Sequence, residues 1–232
     1  MTPPPSGEDI ARHYSSGHAR LAELTSTLTD DQLATPVPST PGWAVHDVLA
    51  HLAALPSDAL AGRLTGVPTD EITAEQVAAR RDLTAKELIE EWTANVPQML
   101  SGARAGVVPA ALAVDVLTHE QDIRGALRLE PILTAEELRF ATDRFARGFG
   151  HGLKQSDVAP VVIAASDSDF KVIAGEGDPA AEVRAAEFEL FRALAGRRSR
   201  RQVLAFDWSG DSASYADRFN VFGRPPQTDI TD

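Results

Sequence analysis

The chain has 232 residues, with 22 basic and 34 acidic side chains for a formal charge of −12, and 43% of it is hydrophobic. That balance excludes ordinary binding to nucleic acid or anionic membrane, which runs through Lys and Arg, and it excludes a disordered chain. The absence of cysteine excludes disulfides, thiolate metal sites and a cysteine nucleophile.

Residues MTPPPSGEDIARHYSS lack a basic-then-apolar signal segment, and no apolar run approaches the ~20 residues of a membrane helix. A cytoplasmic protein without membrane or nucleic-acid partners is expected. The first predicted helix opens at Ser6 or Glu8 and reaches Leu28, with Ile10, Tyr14, Leu21 and Leu24 on its apolar stripe. Pro36, Pro38 and Pro41 then hold a long extended connection. A second helix starts near Trp43 with Val45, Val48, Leu49 and Leu52 inward, and Pro56 kinks or ends it.

Gly66 and Pro68 predict a break, and Thr73 with Gln76 matches a capping box. Helices are expected over 73–80 and 84–101, with Leu88, Trp92, Val96 and Leu100 inward. Another opens at Pro109 and carries Leu112, Val116, Ile123 and Leu127, and one more begins at Thr134 with Glu137 closing its capping box. From Pro160 the period changes. PVVIAAS and FKVIAG around DSDS predict a hairpin, and AEVRA a further strand. AEFELFRALAGRR is an amphipathic helix ending at Gly196; QVLAFDWSGD suits strand or helix. A last helix is expected from Ser212 to Phe222, followed by a loose tail. The expected architecture is α+β, mostly α: a helical bundle over 1–155 and a small α+β domain over 156–232.

Two of the six histidines interrupt apolar helical stretches. His51 borders the core face of its helix, with Asp47 one turn earlier as a candidate support. Asp115 and His119 are four apart and share a helix face. A carboxylate and an imidazole at that spacing, with one imidazole from a facing helix, make a three-ligand site with open coordination positions. The same residues also suit a hydrogen-bonded core and a solvated helix face. Asp122, three after His119, suits a cap, a ligand or an ion pair with Arg124, the last being expected, and Glu120 is expected to face solvent. Arg197 and Arg198, in the dense basic run GRRSRR, suit either an anionic cofactor group or a helix C-terminus.

TPGWAVHDVLAHLA at 40–53, followed by DVLTHEQDIRGAL at 115–127, resembles the mycothiol-dependent maleylpyruvate isomerase family. EQVAARRDLTAKELIEEW at 75–92 and ELFRALAGRRSRRQVLAFDWSGD at 189–211 extend the likeness over nearly the whole chain. The resemblance implies an N-terminal DinB-like four-helix bundle that binds a divalent ion. Its ligands fall on His51, which closes the Trp43-x-x-x-Asp47-x-x-x-His51 segment, and on Asp115 and His119. At the first position of the carboxylate-x-x-x-His pair the isomerase carries a glutamate, one methylene longer than Asp115.

The implied ion is Zn²⁺, with Ni²⁺ also compatible because imidazole and carboxylate discriminate little between them. The implied cofactor is mycothiol, a small-molecule thiol, activated by the metal to attack an electrophilic substrate in an isomerase or thiol-transferase reaction. Arg197 and Arg198 are then candidates for its carboxylate. Two other classes fit the same sequence: a non-catalytic metal- or ligand-binding module such as a sensor or accessory protein, and a structural protein that dimerises. A homodimer is compatible with each.

Overall fold

The computed structural model describes residues 4–64 and 68–231; the break expected at Gly66 lies outside them. Two compact units divide the described chain, one over 4–131 and one over 132–231.

The first unit is helical. Helix α1 (Gly7–Thr25) starts where the Ser6 hydroxyl accepts the Asp9 amide N–H and the Asp9 carboxylate accepts back from Ser6. A short α2 (Asp30–Leu33) follows, then α3 (Val45–Leu60), α4 (Asp70–Ala79), α5 (Ala85–Arg104) and α6 (Ala110–Ala126). Helices α1 and α3 each pack on both α5 and α6, which closes a four-helix bundle, and α4 lies against α3. Its core joins Leu21, Leu49, Leu52, Leu88, Met99, Leu117 and Trp92. The Trp92 indole donates to the Tyr14 hydroxyl at 2.7 Å, so the largest buried ring keeps its polar atom satisfied. Helix α3 passes through Pro56 without ending and is buried continuously from Val48 to Pro56.

Helix α4 departs from expectation. Thr69 caps it, and the helix starts at Asp70, so Thr73 and Gln76 form no capping box; the Thr73 hydroxyl donates to the Asp70 carbonyl. With α4 begun one turn earlier, Gln76 falls mid-helix and becomes its one buried residue.

The second unit opens with α7 (Ala135–Gln155), whose Thr134–Glu137 capping box forms as expected. Strands β1 (Val161–Ala165) and β2 (Lys171–Ala174) make the predicted hairpin. Strand β3 (Ala181–Ala185) lies parallel to β1 on its other side. After α8 (Glu187–Leu194), the ambiguous QVLAFDWSGD stretch divides between α9 (Arg200–Leu204), capped by Ser199, and β4 (Asp207–Ser209), antiparallel to β3. The sheet order is β2-β1-β3-β4.

Helix α7 packs on α8 and β2. A Cβ at Gly150 would come within 2.4 Å of the Gly175 backbone nitrogen, so glycine is required where this helix crosses the strand end. Those contacts place α7 with the sheet, whereas the expected division at 155 and 156 placed it with the bundle.

The last helix, α10 (Ala213–Ala216), is shorter than expected. The Asn220 amide oxygen accepts from the Phe222 N–H, and its nitrogen donates to the Arg224 carbonyl. Such side-chain bonds to nearby backbone compete with helix. The tail is held rather than loose: Ile230 is buried with its N–H and C=O both bonded to the Gln202 side chain, and Ser199 donates to Asp229.

Candidate metal centre

Helices α3 and α6 bring His51, Asp115 and His119 together. One ligand atom from each lies within 4.8 Å of the others, with both histidines buried and Asp115 half-buried. The two carboxylate oxygens of Asp115 face different imidazoles: Oδ2 lies 3.6 Å from His51 Nε2, and Oδ1 lies 3.6 Å from His119 Nε2. The rings meet edge to face with centroids 5.3 Å apart. Trp43 walls the cluster, 5.3 Å from the His51 ring and 6.5 Å from that of His119.

The far nitrogen of each imidazole is held by another side chain. His119 Nδ1–H donates to Asp122 Oδ2 at 2.9 Å. His51 Nδ1 lies 3.0 Å from Gln76 Oε1, and the Gln76 amide nitrogen donates to Asp58 Oδ2 at 2.6 Å. Asp58 in turn receives two bonds from Arg63, whose Nε donates at 2.8 Å. Burial pushes the Asp58 carboxyl up, but the bonds from Gln76 and Arg63 outweigh it and hold the group below the usual carboxylate range.

Bonds of about 2.0–2.2 Å to nitrogen and oxygen set donors about 3.0–3.6 Å apart around one ion. The 3.6 Å separations at Asp115, each on a different oxygen, stand at the upper end of that range and the whole set spans up to 4.8 Å, so the donors would draw inward on an ion; borderline-soft nitrogens with a hard carboxylate suit a divalent first-row cation. Asp115, though shorter than glutamate, reaches both imidazoles, so the missing methylene does not detach it from the cluster.

Several neighbours differ from expectation. Asp47 does not support His51; its carboxylate accepts from the Ala44 N–H at the start of α3. Asp122 holds His119 instead of pairing with Arg124, whose Nε donates to the Glu130 carbonyl. Glu120 does not face solvent: it is buried, and Arg20 of α1 grips both of its oxygens at 2.8 and 2.7 Å. An acidic residue on the far side of α6 thus finds its cation on the neighbouring helix. On α1, burial pushes the Tyr14 phenol up, against the lowering bond from Trp92, and the Asp115 charge adds a smaller upward push.

Sequence reasoning missed Gln76, Asp58 and Arg63. The signal was present but indirect, since α4 has no apolar stripe and a buried glutamine there needs polar partners.

Arg197 and Arg198 lie in the second unit. The Arg198 guanidinium is buried and bidentate on Glu189 at 2.7 and 2.8 Å, and it also donates to the Arg197 carbonyl. Arg197 Nη1 donates to the Ala195 carbonyl at 2.6 Å. A cavity of about 730 Å³ in the same unit is lined by Phe149, Gly152, Arg200, Arg218, Asn220 and Arg224 among others. None of His51, Asp115 and His119 lines it.

Residues 14–124 match the family model of the mycothiol maleylpyruvate isomerase N-terminal domain, a span that holds every residue of the cluster and its supports. No curated protein sequence matches the chain. Two solved structures share its fold: the crystal structure of the mycothiol-dependent maleylpyruvate isomerase at 17% identity and that of a histidine-to-alanine mutant of it at 16%. Each alignment covers 83% of this chain and 90% of the other, with a TM-score of 0.52. The fold they share therefore extends past the bundle into the second unit. Among the described residues, no helix is long and apolar enough to cross a membrane.

Proposed function

From the premise that residues 14–124 form a domain of the mycothiol maleylpyruvate isomerase N-terminal family, we propose that this chain is a divalent-metal enzyme. It uses mycothiol to transform a small electrophilic substrate, by isomerisation or by thiol transfer. The observation that carries the reading is the convergence of His51, Asp115 and His119, each imidazole turned so that Nε2 faces the shared centre.

In this reading His51, Asp115 and His119 hold the ion, with Zn²⁺ expected and Ni²⁺ compatible. A bound divalent ion supplies a Lewis acid that favours the thiolate form of a thiol brought beside it and polarises a substrate carbonyl. The chain has no cysteine, so the nucleophilic sulfur comes from the cofactor. Three protein donors leave coordination positions open for it. The Trp43 ring lies against one side of the cluster, where its apolar face would limit the approach of water. When bound, the cofactor would supply a sulfur nucleophile able to add to and leave an electrophilic double bond, the chemistry of isomerisation, or to remain attached, the chemistry of thiol transfer.

Arg197 and Arg198 take part in cofactor binding in this reading by exchanging partners. Arg198 would trade Glu189 for a cofactor carboxylate, which keeps the guanidinium paired and releases the half-exposed Glu189 to solvent.

The test is metal content by elemental mass spectrometry beside thiol-dependent turnover, for wild type, His51→Ala and His119→Ala. Near-stoichiometric zinc or nickel and turnover in wild type, both lost in the variants, are expected. Metal without turnover across a panel of electrophiles would favour a non-catalytic module. Undiminished metal in His119→Ala would sink the assigned site.

A further inference from the structure

We propose that Gln76 is a positioning residue of this centre: it fixes which nitrogen of His51 carries the proton, and Asp58 with Arg63 fixes which way round Gln76 is held. The inference rests on the metal reading for its consequence, but its geometry stands without an ion.

The chain of contacts runs inward from the surface. Asp58 receives Arg63 on one oxygen and Gln76 on the other. An ionised carboxylate only accepts, so the Gln76 atom that faces it at 2.6 Å must be the amide NH₂. The carbonyl oxygen of the same amide is thereby turned to His51 Nδ1 at 3.0 Å, and a carbonyl also only accepts. His51 Nδ1 must then carry the hydrogen, and Nε2 keeps its lone pair, directed at Asp115 and the shared centre. One proton position is determined by charges two residues removed. His119 reaches the same tautomer by a shorter route, through the Asp122 carboxylate.

The two supports differ in kind. Asp122 lies on the same helix as the imidazole it holds, three residues on. Gln76 comes from α4, is its one buried residue, and hands the interaction on to Asp58 at the end of α3. A methionine at 76 would fill similar volume while offering no strong acceptor. His51 would then be free to place its hydrogen on Nε2 and donate to Asp115, a form that must lose that proton before it can ligate. Partners of this kind typically carry 10–100-fold in metal affinity.

Two readouts test this. Long-range ¹H–¹⁵N NMR on metal-free protein near pH ~8, where an ordinary imidazole is neutral, assigns the His51 tautomer. Competition with a chromophoric chelator measures Zn²⁺ affinity. Wild type is expected to show His51 protonated at Nδ1, and Gln76→Met to shift toward the Nε2-protonated form with zinc affinity lower by about 10–100-fold. Asp58→Asn, which can face Gln76 with either end of its own amide, is expected to move in the same direction and serves if Gln76→Met does not fold. The double variant Gln76→Glu with Asp58→Asn rebuilds an acceptor toward His51 and a donor toward residue 76, and is expected to recover both readouts. A wild-type His51 protonated at Nε2, or a tautomer and affinity unchanged in Gln76→Met, would overturn the assignment. If wild type binds no zinc, the metal reading fails and the tautomer measurement alone decides this one.

Discussion

Asp122 and His119 lie three residues apart on α6, with the carboxylate Oδ2 2.9 Å from the imidazole Nδ1 and the Asp122 side chain fully buried. A buried carboxylate held by an imidazole orients the ring and raises its basicity as a ligand. Asp122→Ala is expected to lower Zn²⁺ affinity by about 10–100-fold while the bundle stays helical. Asp122→Asn, which keeps an acceptor but loses the charge, should fall between the two. Chelator competition with circular dichroism on the same samples checks both.

Removing the metal should lower thermal stability. A ligand that binds only the folded state adds about 2.7 kcal/mol when present at 100 times its dissociation constant. Chelation of zinc-loaded wild type is therefore expected to lower Tm by several degrees, with no comparable shift for His51→Ala. Differential scanning calorimetry with and without chelator decides it, and equal shifts in both proteins would place the bound ion elsewhere.

The Arg20–Glu120 pair ties α1 to α6 with Glu120 buried. Removing Arg20 takes a bidentate charge pair from a buried carboxylate. Arg20→Ala is expected to cost about 3 kcal/mol by urea denaturation. The double change Arg20→Leu with Glu120→Leu should recover most of that loss, because an apolar pair strands no charge.

Asp58 gives the metal-free protein a pH signature. Its folded-state pKa lies below the usual 3.8, through the Gln76 and Arg63 bonds that outweigh its burial. A depressed carboxylate contributes stability that is present above the unfolded value and lost as pH falls through the folded one. The stability gap between wild type and Asp58→Asn is therefore expected to be full near neutrality and to narrow below pH 3.8. Denaturant melts at stepped pH measure the gap, and one that is constant through this range would contradict the linkage.

What could be read from the sequence was whatever rests on neighbours along the chain. The Thr134–Glu137 cap, the hairpin around DSDS and the Asp115–His119 spacing each depend on residues a few positions apart, and each forms. Gln76 was misassigned because a local pattern with Thr73 was available, whereas its real partners, His51 and Asp58, lie 25 and 18 residues away. Asp47 illustrates the same competition in reverse. It stands one turn from His51, yet the unsatisfied N–H of Ala44 at the helix start claims it. The tail was unreadable because Ile230 is ordered by Gln202, on a helix that the sequence left ambiguous.

Helix α4 is fastened to the bundle mainly by polar contacts: the Gln76 amide inside, and the Arg80 guanidinium on Glu91 at its end. Apolar attachment strengthens as water warms from the cold, whereas polar attachment of this kind does not. On heating, α4 should therefore detach before the bundle itself melts, as a local opening rather than a global one. The Gln76 contact that opening would break is the one on His51, so a small fraction of molecules would carry an untethered His51 at any moment. If the centre holds an ion as proposed, its exchange would follow the breathing of one amphoteric amide, with a temperature coefficient set by α4 and not by the stability of the protein.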